Sequence, residues 1–260
     1  MRNMENRINK LFQQKKENIL SVFFTAGFPK QNDTIAIAIE LEKSGVDLIE
    51  IGIPFSDPIA DGPVIQESNK IALDNGMNLK LLLQQVREIR KTVKLPILLM
   101  GYINPVMQYG IERFIKDSKA AGVDGFILPD LPMAEYEEYF KVFVEKNELV
   151  NVFLISPTTS EERIRKIDGA SNSFIYAVSS SSTTGTKTGF TNEQELYFKK
   201  LSEMKLKNPF LIGFGVSNKE TFEAVTKFAT GAIIGSAFIK LLKSSSNLST
   251  DIHDFINNLN

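Results

Sequence analysis

Short runs rich in Val, Ile, Leu and Phe alternate along the chain with longer stretches whose apolar residues recur at helical spacing. The short runs fall at 19–25, 47–53, 96–101, 125–128, 150–155, 173–178, 210–214 and 232–235 and read as strands. Between them, 33–43, 79–92, 111–121 and 219–228 read as amphipathic helices. In 33–43, Ile35, Ile39 and Leu41 cover one side, while Glu40 and Lys43 supply the polar character.

Helix boundaries follow from the same pattern. Asn32 or Asp33, Ser160, Asn192 and Ser217 precede helical stretches and can cap them with a side-chain oxygen. Ser44-Gly-Val-Asp47 and Ala121-Gly-Val-Asp124 each end a helix in Gly, which tolerates a left-handed backbone, and open a strand. Eight strands with helical crossovers suit a closed parallel barrel; an open doubly wound sheet uses the same alternation. The expectation is a (β/α)8 TIM barrel. It forms a single domain over 1–260, with a short N-terminal helix and extra helices after strands 2 and 8.

Composition narrows the chemistry. The 260 residues are 43% hydrophobic and 23% charged, enough for one sizeable core. Thirty basic residues offset 31 acidic ones without forming a basic stripe, so no nucleic-acid partner is expected. Cysteine is absent and His253 is the only histidine. Thiolate chemistry, a histidine triad and a multi-histidine metal centre are thereby excluded. The polar start of the chain and the absence of any run near the roughly 20 apolar residues of a membrane span predict a soluble, cytoplasmic protein.

Strand 47–53, taken at period two, sends Ile49, Ile51 and Ile53 to one face and Leu48, Glu50 and Gly52 to the other, the barrel interior. A glutamate there is desolvated, which raises its pKa toward the range useful for general acid–base work. A buried ion pair is the bland alternative, but the strand candidates carry no Lys or Arg. Gly52 leaves room beside Glu50. The loop that follows offers Asp57 and Asp61 at the barrel end where active sites sit, and either could instead cap the next helix.

Glycines mark three loops after the late strands: Thr184-Gly185, Gly213-Phe-Gly215-Val-Ser217 and Gly235-Ser236-Ala237. Backbone N–H groups there can cradle a phosphate, and Gly235 opens a helical stretch whose dipole would assist. Lys187 in the same region could also reach a phosphate, but a solvated loop lysine is the preferred reading. Phe23, Tyr176 and Phe214 near strand ends suit either core packing or a flat aromatic ligand.

The segment Glu50-Ile-Gly-Ile-Pro-Phe-Ser-Asp-Pro-Ile-Ala-Asp61-Gly-Pro-Val-Ile-Gln66 resembles the signature of the tryptophan synthase alpha subunit family. Phe24-Thr-Ala-Gly27, Tyr102-Ile-Asn104-Pro105, Leu128-Pro-Asp130-Leu-Pro132, Gly213–Ser217 and Gly235–Ala237 also fit, so the likeness spans strands one to eight. It implies retro-aldol cleavage of indole-3-glycerol phosphate, with Glu50 as the proton carrier and Asp61, rather than Asp57, at the ring N–H. It implies an indole pocket of Phe23, Ile127, Tyr176, Thr184 and Phe214, and phosphate donors at Gly185, Gly215, Gly235 and Ser236. No cofactor is expected in this chain; pyridoxal phosphate would belong to a β subunit in an α2β2 tetramer, faced by Asp57, Pro58, Asn104 and Pro132. A stand-alone lyase releasing free indole, and a weak barrel that mainly activates its partner, are the alternatives; a different phosphate-binding barrel fits the long motif poorly. The chain departs from the family at Ser182 and Thr183, where Gly and Val are usual, and at Thr230, where Asp is frequent.

Overall fold

Clusters of β-branched and aromatic residues extend into strands because their side chains pack best on a pleated surface. In the computed structural model, which describes residues 6–179 and 189–259, these strands are β1 (Ile19–Thr25), β2 (Leu48–Gly52), β3 (Ile97–Met100) and β4 (Gly125–Ile127). They continue with β5 (Val150–Val152 and Leu154–Ile155), β6 (Ile175–Val178), β7 (Phe210–Gly213) and β8 (Gly231–Ile234). Each pairs in parallel with its sequence neighbours, and β1 pairs with β8, Ser21 opposite Ile233. The first piece of β5 bonds to β4 and the second to β6, while the Phe153 carbonyl accepts from the Tyr176 N–H at 2.9 Å. The ring therefore closes across the break, and the expected barrel is the observed one.

The helices are α1 (Arg7–Gln14), α2 (Asp33–Lys43), α3 (Pro63–Asp74), α4 (Leu79–Ile89), α5 (Ile103–Tyr109) and α6 (Ile111–Ala121). After β4 come α7 (Met133–Glu135), a π turn (Tyr136–Phe140) and α8 (Lys141–Lys146). The remainder are α9 (Glu161–Ala170), α10 (Asn192–Glu203), α11 (Lys219–Thr226), α12 (Ser236–Ser244) and α13 (Leu248–Asn257). The N-terminal helix and the extra helices after β2 and β8 are present, and β3 is followed by two helices as well. That addition, α5, starts where the Asp130 carboxylate accepts the Ile103 N–H at 2.9 Å. Two caps lie one residue from their expected places. Thr191, not Asn192, accepts from Gln194 N–H, and Asn218, not Ser217, accepts from Thr221 N–H. In each case the capping residue keeps an extended backbone and its neighbour does not offer the oxygen. Among the described residues no helix is long and apolar enough to cross a membrane.

Period two sorts the strands as expected. Leu48, Leu98, Ile127, Val150, Leu211 and Ile233 fill the barrel interior with Ile19 and Tyr176, while Ile49, Ile51, Leu99 and Phe126 face the helices. From below, α1 closes the barrel: Ile8 joins the interior cluster and Phe12 stacks on Phe174, ring centroids 5.2 Å apart.

The two -GVD- repeats explain how the lower end is locked. Asp47 accepts the first free N–H of the neighbouring strand, Leu20, at 2.8 Å, and Asp124 does the same for Ile97 at 2.9 Å. Asp124 also binds Arg90 at 2.6 Å and Arg7 at 2.9 Å, and Asn6 donates to its carbonyl. Gly122, left-handed at φ 95°, is required twice, because a Cβ would lie 2.6 Å from the Arg90 side chain. Asp124→Ala leaves the buried Arg90 guanidinium and the Ile97 N–H without their partner. It should cost about 3–5 kcal/mol in urea unfolding, whereas Asp47→Ala, which frees the Leu20 N–H but whose cation Lys15 is 40% exposed, should cost about 1–2 kcal/mol. Equal losses would show that Asp124 is no special lock.

Candidate active site

The upper end of the barrel holds a cavity of about 320 Å³. Phe23, Gly52, Asp61, Met100, Tyr102 and Phe214 are among the residues lining it, all from the C-terminal ends of strands or the loops after them. Glu50 lies one step below, on β2, in register with Phe23 of β1. It is fully buried. The Ser21 hydroxyl donates to its Oε1 at 2.7 Å, and among the described residues its Oε2 has no hydrogen-bond partner. Among the described residues no lysine or arginine pairs with it, which speaks against the ion-pair reading. Burial pushes the Glu50 carboxyl up to about 7, against a smaller lowering from Ser21.

Gly52 lines the cavity, yet part of the space it frees is taken by the protein itself. A Cβ there would lie 2.8 Å from the Phe23 ring. Gly213 plays the same part for Tyr176, whose hydroxyl would be 2.2 Å from an added Cβ. That phenol is held protonated by burial first, then by the nearby charges of Glu50 and Asp61. Tyr176 thus lies within electrostatic reach of both carboxylates, and its ring meets Phe214 edge-on at 6.4 Å.

The two loop aspartates separate clearly. Asp57 is exposed and bonded to Ser56; Asp61 is half-buried and lines the cavity. Neither caps α3, whose cap is Gly62 with Pro63 in its first turn. The Tyr102 hydroxyl donates to Asp61 Oδ2 at 3.0 Å and accepts from Ala60 N–H at 3.1 Å. Burial raises the Asp61 carboxyl and the Tyr102 bond lowers it. Gln66 donates to the Asp61 carbonyl at 2.8 Å, Asn69 accepts from Phe55 N–H at 2.9 Å, and the Phe55 ring lies 5.1 Å from Tyr102. The sequence alone gives Tyr102 and Asn69 no role. Their only sequence signal is position: Tyr102 just past β3, Asn69 one turn beyond Gln66.

Of the expected indole pocket, Phe23 and Phe214 line the cavity, while Ile127 and Tyr176 belong to the packed layer beneath. Gly235 opens α12 without a side-chain cap and sits beside Phe23, 3.5 Å from where its Cβ would be. Ser236 follows as the first residue of that helix. Phe214, at φ 66°, is a non-glycine residue in the left-handed region, strain of the kind that collects at functional loops, and Gly215 follows it at φ 81° without such cost. The Phe214 carbonyl is held by the Ser179 hydroxyl. Thr184, Gly185, Lys187, Ser182 and Thr183 lie outside the described residues. Thr230, where the family often has Asp, uses only its backbone here, bonding Ile19 and Phe210.

The family model described as tryptophan synthase alpha chain matches residues 9–258. The chain belongs to this family. A tryptophan synthase alpha chain from Flavobacterium psychrophilum is 59% identical over 237 residues, covering 91% of this chain and 93% of the relative. The crystal structure of tryptophan synthase subunit alpha from Legionella pneumophila is 34% identical, with a TM-score of 0.88 over 98% of this chain and 97% of that one. The tryptophan synthase complex from Pyrococcus furiosus contains a chain 32% identical, with a TM-score of 0.85 over 94% and 98%. The long motif from Glu50 to Gln66 thus occupies, in this member of the family, the second strand, the cavity rim and the start of α3.

The Glu50 environment has a consequence for stability that is independent of any substrate. Its folded pKa of about 7 stands above the ordinary 4.5, so the stabilising preference for the protonated form is complete below 4.5 and lost as pH rises through 7. Glu50→Gln should therefore be more stable than the parent at pH 8, by on the order of 3 kcal/mol. The gap should narrow below pH 4.5 in denaturant unfolding. A gap independent of pH would show that Glu50 does not titrate as a buried acid.

Proposed function

We propose that Glu50 and Asp61 carry the retro-aldol cleavage of indole-3-glycerol phosphate to indole and glyceraldehyde 3-phosphate. As a tryptophan synthase alpha chain by family, the protein is the lyase of the alpha reaction in tryptophan biosynthesis. The observation that carries the residue assignment is one buried, uncharged-leaning carboxyl with no cation paired to it among the described residues, placed directly under a cavity whose rim presents a second carboxyl.

In this reading Glu50, protonated, gives its proton to the ring carbon that bears the glycerol phosphate side chain. Asp61, ionised, accepts the ring N–H and stabilises the positive charge that develops there. The Glu50 carboxylate then takes the proton of the side-chain hydroxyl. The C–C bond breaks, its electron pair returns to the ring, and the hydroxyl carbon becomes the aldehyde. The proton balance closes on Glu50, and no step calls for a metal or coenzyme in this chain. The Tyr102 hydrogen bond supports the ionised form of Asp61 and aims it, and the Phe23 and Phe214 rings offer flat apolar contact to the indole. The phosphate is assigned to the loops of Gly215, Gly235 and Ser236, where α12 directs its N-terminus, together with Gly185.

A β subunit as partner is supported by the solved complex of the Pyrococcus furiosus relative. Asp57 and Pro132 are exposed on the loops after β2 and β4 and Asn104 is exposed in the first turn of α5, with Ile59 and Met107 beside them exposed apolar residues, 90% and 59%. Pro58 is buried within its own loop, where its carbonyl accepts from Asp61 N–H, so it would shape the rim more than touch the partner. An α2β2 tetramer is the assembly assigned.

Glu50→Gln should lower indole release roughly 10²–10⁴-fold while ligand binding persists, and Asp61→Asn roughly 10²–10³-fold. Asp57→Asn should leave the isolated chain's rate little changed. Because Glu50 starts protonated, kcat/KM of the parent should fall as pH rises above about 7. Indole release measured from pH 5 to 9, with and without a β subunit, checks these outcomes. A Glu50→Gln variant with a tenth or more of the parent rate, or an Asp57 variant worse than the Asp61 variant, would contradict the assignment.

A further inference from the structure

We propose that Ser21 is the positioning residue of Glu50: its hydroxyl holds one carboxyl oxygen and so reserves the other as the oxygen that carries the proton. The inference rests on the acid–base reading of Glu50 given above.

Along β1, Ile19, Ser21 and Phe23 point into the barrel, and Ser21 lies in register with Leu48 and Ile233. Ser21 is fully buried. Its register partners Leu48 and Ile233, and Ile19 two residues before it on β1, are apolar members of the interior cluster. A hydroxyl buried there costs free energy unless it is bonded, and an apolar side chain of similar size would satisfy the packing alone. The partner recorded for this hydroxyl is Glu50 Oε1, at 2.7 Å.

The consequence for the acid is specific. A carboxyl oxygen that accepts from Ser21 is not the one bearing the acid proton, so protonated Glu50 carries it on Oε2, the oxygen without a partner among the described residues. One proton-bearing oxygen in one orientation is what transfer to a single ring carbon requires. The same bond opposes burial and keeps the carboxyl near neutrality. Among the described residues, the titratable side chain that feels the Glu50 charge is Tyr176 of β6, which also feels Asp61 from the loop after β2. β1, β3 and β8 bring Phe23, Leu98 and Ile233, which carry no charge.

The test compares Ser21→Ala, Ser21→Thr, Glu50→Gln and the Ser21→Ala/Glu50→Gln double variant in the full chain, following indole release from indole-3-glycerol phosphate across pH. Ser21→Ala should lower kcat roughly 10-fold, with KM within about twofold, and move the alkaline limb of kcat/KM up by about one pH unit. Ser21→Thr, which keeps the hydroxyl, should retain the parent limb. Adding Ser21→Ala to Glu50→Gln should change the residual rate no further. Should the alanine variant not fold, Ser21→Cys, of nearly the same volume but a weak donor, gives the same comparison. An unshifted limb in Ser21→Ala, or a loss that simply adds to that of Glu50→Gln, would overturn the proposal while leaving Glu50 as the acid. A Glu50→Gln variant as active as the parent would instead overturn the acid–base reading itself.

Discussion

A closed barrel has no interior water to spare, and the structure places one carboxyl in that interior. Among the described residues Glu50 is surrounded by aliphatic and aromatic side chains, with one hydroxyl to bond and no cation to pair. Its chemistry follows from this. In water the group is an ordinary weak acid of little use near pH 7; in the barrel the ionised form is disfavoured enough that both protonation states are accessible there. The same burial makes Glu50 a liability for stability at alkaline pH, so the fold must supply its excess stability elsewhere.

It does so at the opposite end. The lower rim concentrates the ionic and capping interactions: Asp124 with Arg90, Arg7 and the Ile97 N–H, Asp47 with Lys15 and the Leu20 N–H, and α1 packed beneath the interior side chains. The upper rim carries strained and weakly constrained features instead, such as the positive φ of Phe214 and the uncapped start of α12. The division is the one expected when one end of a barrel is built for stability and the other for ligands. Each site carboxylate is held from a neighbouring element: Tyr102, just past β3, donates to Asp61, and Ser21 of β1 donates to Glu50.

Strand positions and inward faces were legible in the chain because period two survives in every strand: Leu48, Glu50 and Gly52 against Ile49, Ile51 and Ile53 is enough to place Glu50 inside. Helix α2 and helix α6 carry their full spans in their apolar pattern. The first of the two helices after β3, α5, was not legible, because it begins on a carboxylate from a different loop, Asp130, a contact that no local pattern encodes. Thr191 and Asn218 beat their neighbours as caps through backbone conformation, which spacing alone does not reveal. For the site, Asp57 and Asp61 are indistinguishable by spacing, and only the fold shows that one faces solvent and the other the cavity. Ser21 and Tyr102 act across strands, 29 and 41 residues from the carboxylates they hold, so their roles emerge only from the register of the ring.

The central claim is that burial in the barrel turns Glu50 into an acid that titrates near neutrality. A carbon-13 NMR titration of glutamate carboxyls in the intact chain, with the Glu50 resonance identified by its loss in Glu50→Gln, measures this directly. A midpoint near 7 is the predicted result. A midpoint at the ordinary value of about 4.5 would contradict it.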